Sequence, residues 1–443
     1  MTRAARGEAS ADPWATRASL WMQGDTDRAQ FPLLRGEVKA ETAIIGGGIT
    51  GLSAAWHLAG AGRSVVLLEA GQLASGSSGR NAAGWLPNYL DRTPDDIVSI
   101  LGVERGDALN RMMVDSAPLL MRMTEKFGLA ADVRRTGIAI ASGVGRGAAA
   151  FATLQQSWMR YGARIEALGA ASMAELSGTE RFRCGLLFRD AGTIQPAALV
   201  NELGLAAARL GAVIHSGSPA LAISAQGAGW RVRTGAGAVT AENILIATDG
   251  TAGAGLWPGL EKTYCCLPFA VIASAPAPGM VERLLPAGIP IADSNKANPF
   301  WTMASADRRI VASMLPPRRE ATTPAAVARP YERKLRRLYG DLPPLEWTHF
   351  WLGNVAISAE RFPRALRLAQ GVHAVGGYSG QGIAPGLAAG REYAAYVVAE
   401  RREAASRLPF LDPRPVALRR LMPWLVRHVA APLARVTDRS YLH

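Results

Sequence analysis

Gly46, Gly48, Gly51 and Glu69 are the residues of this chain whose types and spacing point most directly to chemistry. They lie in AIIGGGITGLSAAWHLAGAGRSVVLLEAG, residues 43–71. A Gly-x-Gly-x-x-Gly turn between a strand and a helix brings backbone N–H groups to a pyrophosphate. Gly46 is expected to make the turn out of the strand. Gly48 is expected to admit the phosphate where a Cβ would collide, and Gly51 to let helix and strand touch. Glu69, at the tip of the next strand, suits a ribose diol and would repel a 2′-phosphate. The pattern therefore points to a dinucleotide other than NADP, and leaves FAD and NAD both open. The plain alternative is a glycine-rich turn that binds nothing.

A second turn has the same character. The apolar strand Val372–Val375 is followed by Gly376-Gly377-Tyr378-Ser379-Gly380-Gln381-Gly382 and then by a helix from about Pro385 to Glu400. A helix start fronted by glycines is another place for negative charge, and a reduced flavin ring carries such charge near N1 and O2. The alternative is an ordinary strand-to-helix turn.

The elements that must position these residues follow from periodicity. Thr42–Ile45 reads as a strand, Leu52–Ala61 as a helix and Val65–Leu68 as a strand. ASGSSGRNAAGWLPN, 74–88, is a polar loop rich in N–H and hydroxyl donors. Residues 95–127 and 147–176 read as mostly helical, with a strand in VRRTGIAIAS between them. A helix is expected from Pro196 to about Leu210, and strands at 212–215, 219–224, 230–234 and 244–247. Residues 262–315 alternate as β structure and 325–339 form a helix. Residues 1–38 are polar and irregular, with Trp14, Trp21 and Phe31 as anchors.

The 443 residues suffice for two or three domains. No apolar run approaches the roughly 18 residues that would span a membrane, and the N-terminus lacks the apolar stretch of a secretory signal. Three cysteines do not make a disulfide framework, so a reducing cytoplasm is expected. The six histidines show no metal-ligand spacing, and no metal is expected. The net charge of +13 invites nucleic acid or anionic lipid. Arginines spread along an alanine-rich chain are better read as compositional habit, and no nucleic-acid partner is expected.

IIGGGITGLSAAWHLA (44–59), GSSGRNAAG (76–84), ILIATDG (244–250), ISAERFP (357–363) and VGGYSGQGI (375–383) stand together in an order that resembles one family. It is the FAD-dependent amine and amino-acid oxidase family of D-amino acid oxidase, glycine oxidase and sarcosine oxidase, most like its γ-glutamylputrescine oxidoreductase branch. The resemblance implies an α/β fold in which a Rossmann-like FAD-binding domain is assembled from discontinuous segments, 38–95, 185–255 and 350–400. A second α+β substrate domain on a mixed or antiparallel sheet would come from 96–184 and 256–349, with an N-terminal extension at 1–37 and a basic tail at 401–443. It implies FAD held at Gly46, Gly48, Ile49, Thr50 and Gly51, with Glu69 and Ala70 at the ribose. Ser78, Arg80, Asn81, Ala82 and Ala83 would line the pyrophosphate and flavin edge, and Ala220 the adenine. Thr248, Asp249 and Gly250 would close on the cofactor, and Gly377, Ser379, Gly380, Gly382 and Ile383 would face the flavin pyrimidine. Tyr378, Gln381 and His349 are the candidates for contact with the reacting groups.

The implied reaction is oxidation of the C–N bond of an amine or amino acid. Hydride passes to flavin N5, an imine forms, and water hydrolyses it to a carbonyl product, with O2 as acceptor and H2O2 as product. Departures from the family qualify this. Ala82 and Ala83 replace the branch's paired glycines, and Gln381 replaces its histidine. No cysteine follows Cys266, so FAD is expected to be non-covalent. The strand RRIVASM lacks the oxygen-activating lysine of sarcosine oxidases, with Arg308 and Arg309 nearby. Trp85, Tyr89, Phe300, Trp301, Trp347, Trp351 and Tyr378 form either an aromatic wall for an amine or simple core. The tail PVALRRLMPWLVRHVAAPLARVTDR, 415–439, carries a competing reading, a flavin dehydrogenase at a membrane surface that passes electrons to quinone. The positive charge carries another, a flavoprotein acting on tRNA.

Overall fold

The computed structural model describes residues 18–23, 29–126, 128, 132–143, 147–251, 255–294, 300–316, 322–419, 421–426 and 429. Trp14 and the end of the tail lie outside them.

Strand β1 (Gly36–Ile45), helix α1 (Ile49–Gly60) and strand β2 (Val65–Leu68) follow one another as expected, with β1 longer than its apolar run suggested. The last four residues of β1 and all of β2 are buried on both faces. Ile44, Val65 and Leu67 enter the core beneath the helices. Ala43, Ile45, Val66 and Leu68 enter the core on the opposite side. A near-continuous apolar run is what such a doubly covered parallel strand requires. Its neighbours complete a nine-stranded sheet, in which β1 pairs in parallel with both β2 and Gly237–Ile246. Val372–Gly376 lies parallel to Gly237–Ile246 on the far side. Four strands thus end on the same side of the sheet, just before Gly46, Glu69, Ala247 and Gly377. The crevice beyond such strand ends is where open α/β sheets bind ligands.

An eight-stranded sheet carries the second layer. Its strands are antiparallel except where Ile291–Asp293 pairs in parallel with Ile138–Ser142. Alternation sorts its two faces. Ala270, Ile272, Ile310 and Ala312 pack with Val327, Tyr331 and Leu335 of the helix Pro324–Tyr339. Phe269, Val271, Ser313 and Leu315 face the crevice. This sheet includes Cys184–Phe188 and Trp347–Ser358, so the segment boundaries expected at 185 and 350 cut through strands. Both strands pair wholly within the eight-stranded sheet. Ile165–Leu168, expected within a helical stretch, is an edge strand paired with Cys184–Phe188. Pairing there overrides the helix preference of Glu166 and Ala167. The tail also joins the body, since Phe410–Leu411 extends the nine-stranded sheet beside Arg364–Ala369.

His57 and His373 are structural. Burial lowers each imidazole to about 4. His373 is 5% exposed and packs edge-on against Tyr393, Tyr396 and Phe410. The unfolded chain takes up a proton near pH 6.5 while the folded chain resists it. Stability contributed by the neutral ring is therefore complete above that pH and is lost as pH falls toward 4. His373 alone should cost about 3 kcal/mol across that window. Urea denaturation at pH 7 and pH 4.5 checks this, and His373→Phe should shrink the difference; an unchanged difference would contradict it.

Candidate functional site

Gly46 leaves β1 with φ +111°, a conformation that glycine adopts readily, and its N–H donates to Leu68 O at 2.8 Å. A Cβ on Gly51 would lie 2.0 Å from Gly46 O, so only glycine lets α1 press on the turn. A Cβ on Gly48 would meet Ser78 Oγ at 2.9 Å. Helix α1 has no side-chain cap, and of its first N–H groups Ile49 donates to Ser78 Oγ at 3.2 Å. The remaining N–H groups of the first turn have no intrahelical acceptor and present an anion site. Glu69 accepts from Gly47 N at 2.7 Å and from Gly71 N at 2.9 Å. The carboxylate thus fixes both hinges while its outer lone pairs remain at the crevice.

The second turn is tied to the first. Tyr378 Oη and Thr50 Oγ1 are 2.7 Å apart, linking the start of α1 to the start of the helix Ala384–Val398. Burial raises the Tyr378 phenol well above its ordinary range, so it stays neutral. Gly377 has φ +92° and donates its N–H to Asp249 Oδ1 at 3.0 Å. Arg364, fully buried, lies beneath Gly377, pairs with Glu360 at 3.0 Å and sits 4.8 Å over the Tyr264 ring. Burial pushes the Asp249 carboxyl up, against the opposing pull of Gly377 N–H and Arg364.

The loop at 74–88 is held by three indoles. Trp351, Trp21 and Trp301 donate Nε1–H to the carbonyls of Arg80, Asn81 and Ala82 at 2.9, 2.8 and 3.0 Å. Asn81 closes the loop on itself by accepting from Ala83 N and donating to Ser78 O. Ala83 sits at φ +64°, Asp249 at +47° and Ser379 at +50°. Non-glycine residues in this region are held only by surrounding structure and gather where a ligand is gripped. The sequence offered no sign of the clamp, because its three indoles come from distant parts of the chain.

These parts surround one cavity of about 1220 Å³. That exceeds the usual pocket for a drug-sized ligand, roughly 300–1,000 Å³, and leaves room for a dinucleotide and a smaller molecule. Of the expected residues, Gly46, Gly48, Ile49, Thr50, Glu69, Ala70, Ser78, Arg80, Asn81, Ala82 and Ala220 line it. So do Thr248, Asp249, Gly250, Tyr378, Ser379, Gly380, Gln381, Gly382 and Ile383. Gly51, Ala83 and Gly377 support the lining from behind. Thr248 Oγ1 is buried and has no hydrogen-bond partner, which suits a polar ligand atom. The donors, the glycine cradle and the orphaned hydroxyl together fit a dinucleotide.

His349 does not belong to this site. It bonds Gln23 Oε1 at 2.6 Å and Thr348 Oγ1 at 2.7 Å, outside the cavity lining, so it has no reach to a reacting atom. Arg308 and Arg309 are likewise engaged elsewhere, with Glu282 and with Ser274 O and Asp307. Most of the candidate aromatics are fixed in packing. Trp85 donates to Thr193 O, Trp347 to Glu332, and Tyr89 to Asn110. Only Tyr89, Phe300, Trp301 and Tyr378 of that set line the cavity. Among the described residues no group of three or more His, Cys, Asp or Glu is placed to hold a metal ion. No helix among them is long and apolar enough to cross a membrane.

Cys266 also lines the cavity and its thiol donates to Gly250 O at 3.2 Å. Burial first, and Asp249 second, push it up to about 11. A protonated thiol is a poor nucleophile at neutral pH. Acid precipitation of the coloured holoprotein should therefore release all of its chromophore and leave a white pellet; a yellow pellet would show a covalent link.

Residues 41–396 match the family described as FAD dependent oxidoreductase (DAO). Gamma-glutamylputrescine oxidoreductase of Escherichia coli (strain K12) is 28% identical over 390 residues, 86% of this chain and 89% of that protein. Probable oxidoreductase OrdL of Rhizobium meliloti (strain 1021) is 28% identical over 389 residues, 85% of this chain and 87% of that protein. Glycine oxidase from Geobacillus kaustophilus superposes with a TM-score of 0.69 at 19% identity, over 86% of this chain and 100% of that one. L-proline dehydrogenase from P. horikoshii does so with a TM-score of 0.68 at 16% identity, over 84% and 96%. These superpositions speak for the fold, while the family match extends across both glycine turns and nearly all of the cavity: the chain belongs to the DAO family of FAD dependent oxidoreductases, and its cofactor is FAD.

Proposed function

We propose that this chain holds one FAD non-covalently between its two glycine turns and oxidises the C–N bond of an amine or amino acid. The observation that carries the reading is the Tyr378–Thr50 bond, which makes the two turns one rigid cradle. In this cradle the first turn of α1 and Ser78 take the pyrophosphate, Glu69 the ribose, and Ala220 the adenine end. Asn81 and Ala82 lie along the flavin edge with the turn from Gly377 to Ile383 at its pyrimidine side. Bound FAD supplies the hydride acceptor for the C–H bond next to nitrogen.

The protein supplies alignment and dryness. The wall of Ile138, Phe269 and Val271 disfavours the ammonium form of a substrate, so a neutral amine needs no dedicated base. Tyr378, neutral and bonded to Thr50, is a positioning residue. Gln381, in the lining of the same turn, offers an amide where a titratable group would change charge with pH. The three free cysteines suit a reducing cytoplasm. O2 is the acceptor in this reading.

Anaerobic mixing of the yellow holoprotein with a panel of amines and amino acids should bleach the flavin with some of them, and air should restore it with release of peroxide. A flavin that no amine reduces, yet a 2-hydroxy acid or NADH does, would overturn the proposal. One observation favours a second acceptor. Leu418, Leu421 and Trp424 are 64%, 52% and 55% exposed, while nearby Val426 lines the cavity. An apolar strip on a basic tail suits a membrane surface and a quinone. Bleached enzyme that re-oxidises with quinone in anionic vesicles and not with air would favour it.

A further inference from the structure

The helix Pro324–Tyr339 packs behind the eight-stranded sheet, and the described lining of the cavity includes no residue of it. It nevertheless sends one charge toward that wall. Lys334 Nζ donates to Asp293 Oδ2 at 2.6 Å, with the two side chains 3% and 0% exposed. The same ammonium sits 5.0 Å from the centroid of the Phe300 ring, within cation–π reach. Asp293 and Phe300 both contribute to the cavity lining.

These two residues are cross-strand neighbours. Ile291 pairs with Thr302 and Ala292 with Trp301 in antiparallel register, and Asp293 N–H continues the ladder to Phe300 O at 2.8 Å. Opposite residues share a face of the sheet and successive ones alternate. Ile291 and Phe300 accordingly pack with Tyr331 and Leu335 of the helix, whereas Trp301 turns to the cavity side. There its Nε1–H donates to Ala82 O at 3.0 Å. Its ring stands so close to Gly84 that a Cβ on that glycine would lie 2.6 Å from Cη2. One lysine on an outer helix thus grips, from behind, the strand pair that aims Trp301 at the loop 80–84.

Stability gives little reason for this arrangement. Apolar residues of similar volume often join two elements as well as a buried ion pair, or better. Tyr331 already joins helix to sheet, stacked 5.1 Å from the Phe300 ring and bonded to Thr302 Oγ1 at 3.0 Å. What a short, charged hydrogen bond adds is direction. It fixes where Asp293 and Phe300 stand along the helix, whereas an apolar contact tolerates sliding.

We infer that Lys334 is a positioning residue for the reaction. Its ammonium locks the Asp293–Phe300 pair, the pair sets the Trp301 indole, and the indole holds the loop proposed to run along the flavin edge. The inference rests on the proposed placement of FAD, and adds to it a residue outside the cavity that governs how flavin and amine are aligned.

The test compares FAD-loaded proteins. Lys334→Met combined with Asp293→Leu replaces the pair by apolar volume, so this double variant should keep its flavin and melt near the wild type. Its visible circular dichroism, which reports the asymmetry around the bound flavin, should nevertheless change. Its kcat/KM for the amine that bleaches the wild-type flavin fastest should fall about 10- to 100-fold. Lys334→Arg should stay nearer the wild type in both readouts. Trp301→Phe, which removes the donor to Ala82 O, should change the dichroism in the same way. Combining it with the double variant should add little, because both act along one path. A stable, loaded double variant with wild-type dichroism and kcat/KM overturns the inference, and so do effects that add in full to those of Trp301→Phe. Should the double variant not fold, Asp293→Asn, of the same shape, carries the same comparisons. If no amine bleaches the flavin, the proposed reaction fails, while the dichroism still decides the role of Lys334.

Discussion

Gly51→Ala is expected to give a protein that loses its flavin and melts well below the wild type. The added Cβ would lie 2.0 Å from Gly46 O and 3.2 Å from Ile44 Cγ2. Backbone cannot yield as a side-chain tip does, so α1 must move away from β1. Overpacking of this kind costs about 1–3 kcal/mol or more. The displacement also carries the N–H groups of the first turn away from the phosphate they should bind, so cofactor loss should exceed what the melting temperature alone suggests. The flavin-to-protein ratio after purification and a thermal melt with added FAD check both effects. A yellow variant with an unchanged melt would contradict the assignment of the first turn.

Arg364→Met should be the most damaging single change beneath the second turn. Its side chain is 0% exposed, and Glu360 beside it is 9% exposed. Removing one partner of a buried ion pair leaves the other uncompensated, at about 3–5 kcal/mol. Asp249 also loses a cation that opposes its burial, so its carboxyl moves further above the ordinary range. The sign follows from linkage. An acid raised in the folded state favours folding below its unfolded value, and that contribution is lost as pH rises through the folded value. The deficit of Arg364→Met should therefore be greatest at neutral and alkaline pH and should shrink in acid. Denaturant melts from pH 5 to pH 8 measure it. Adding Glu360→Leu should restore part of the stability, whereas a double variant as unstable as the single one would point to lost packing instead.

The two predictions differ in how far the sequence alone could have led to them. The Gly51 contact is legible because turn, helix and strand lie within one short stretch, and local geometry dictates where each glycine must be. Glu69 is legible for the same reason, as the acid at the tip of the next strand. Arg364 is not. The carbons and charges around it come from Tyr264, Asp249 and Gly377, brought together only when three strands of two sheets meet.

The same contrast runs through the rest of the site. Periodicity located the long helices and most strands, and missed Ile165–Leu168, whose partner strand supplies what its own residues do not favour. The segment boundaries expected at 185 and 350 lie inside Cys184–Phe188 and Trp347–Ser358, because a strand's sheet is chosen by its pairing partner, which a one-dimensional pattern does not reveal. Trp301 and Trp351, candidates for a wall around an amine, turned out to donate to the carbonyls of the loop 80–82. His349 faced Gln23 rather than the cavity.

The sequence by itself determined the two glycine turns, the acid at the tip of β2 and the family, since these depend on residue types at short fixed spacings. Only the tertiary structure decided which side chains brace those turns, which histidine and arginines stay out of the cavity, and that Thr248 Oγ1 in its lining has no hydrogen-bond partner among the described residues. Such choices depend on what distant segments leave unsatisfied, and an unmet hydrogen bond or charge exists only once the chain has folded around it.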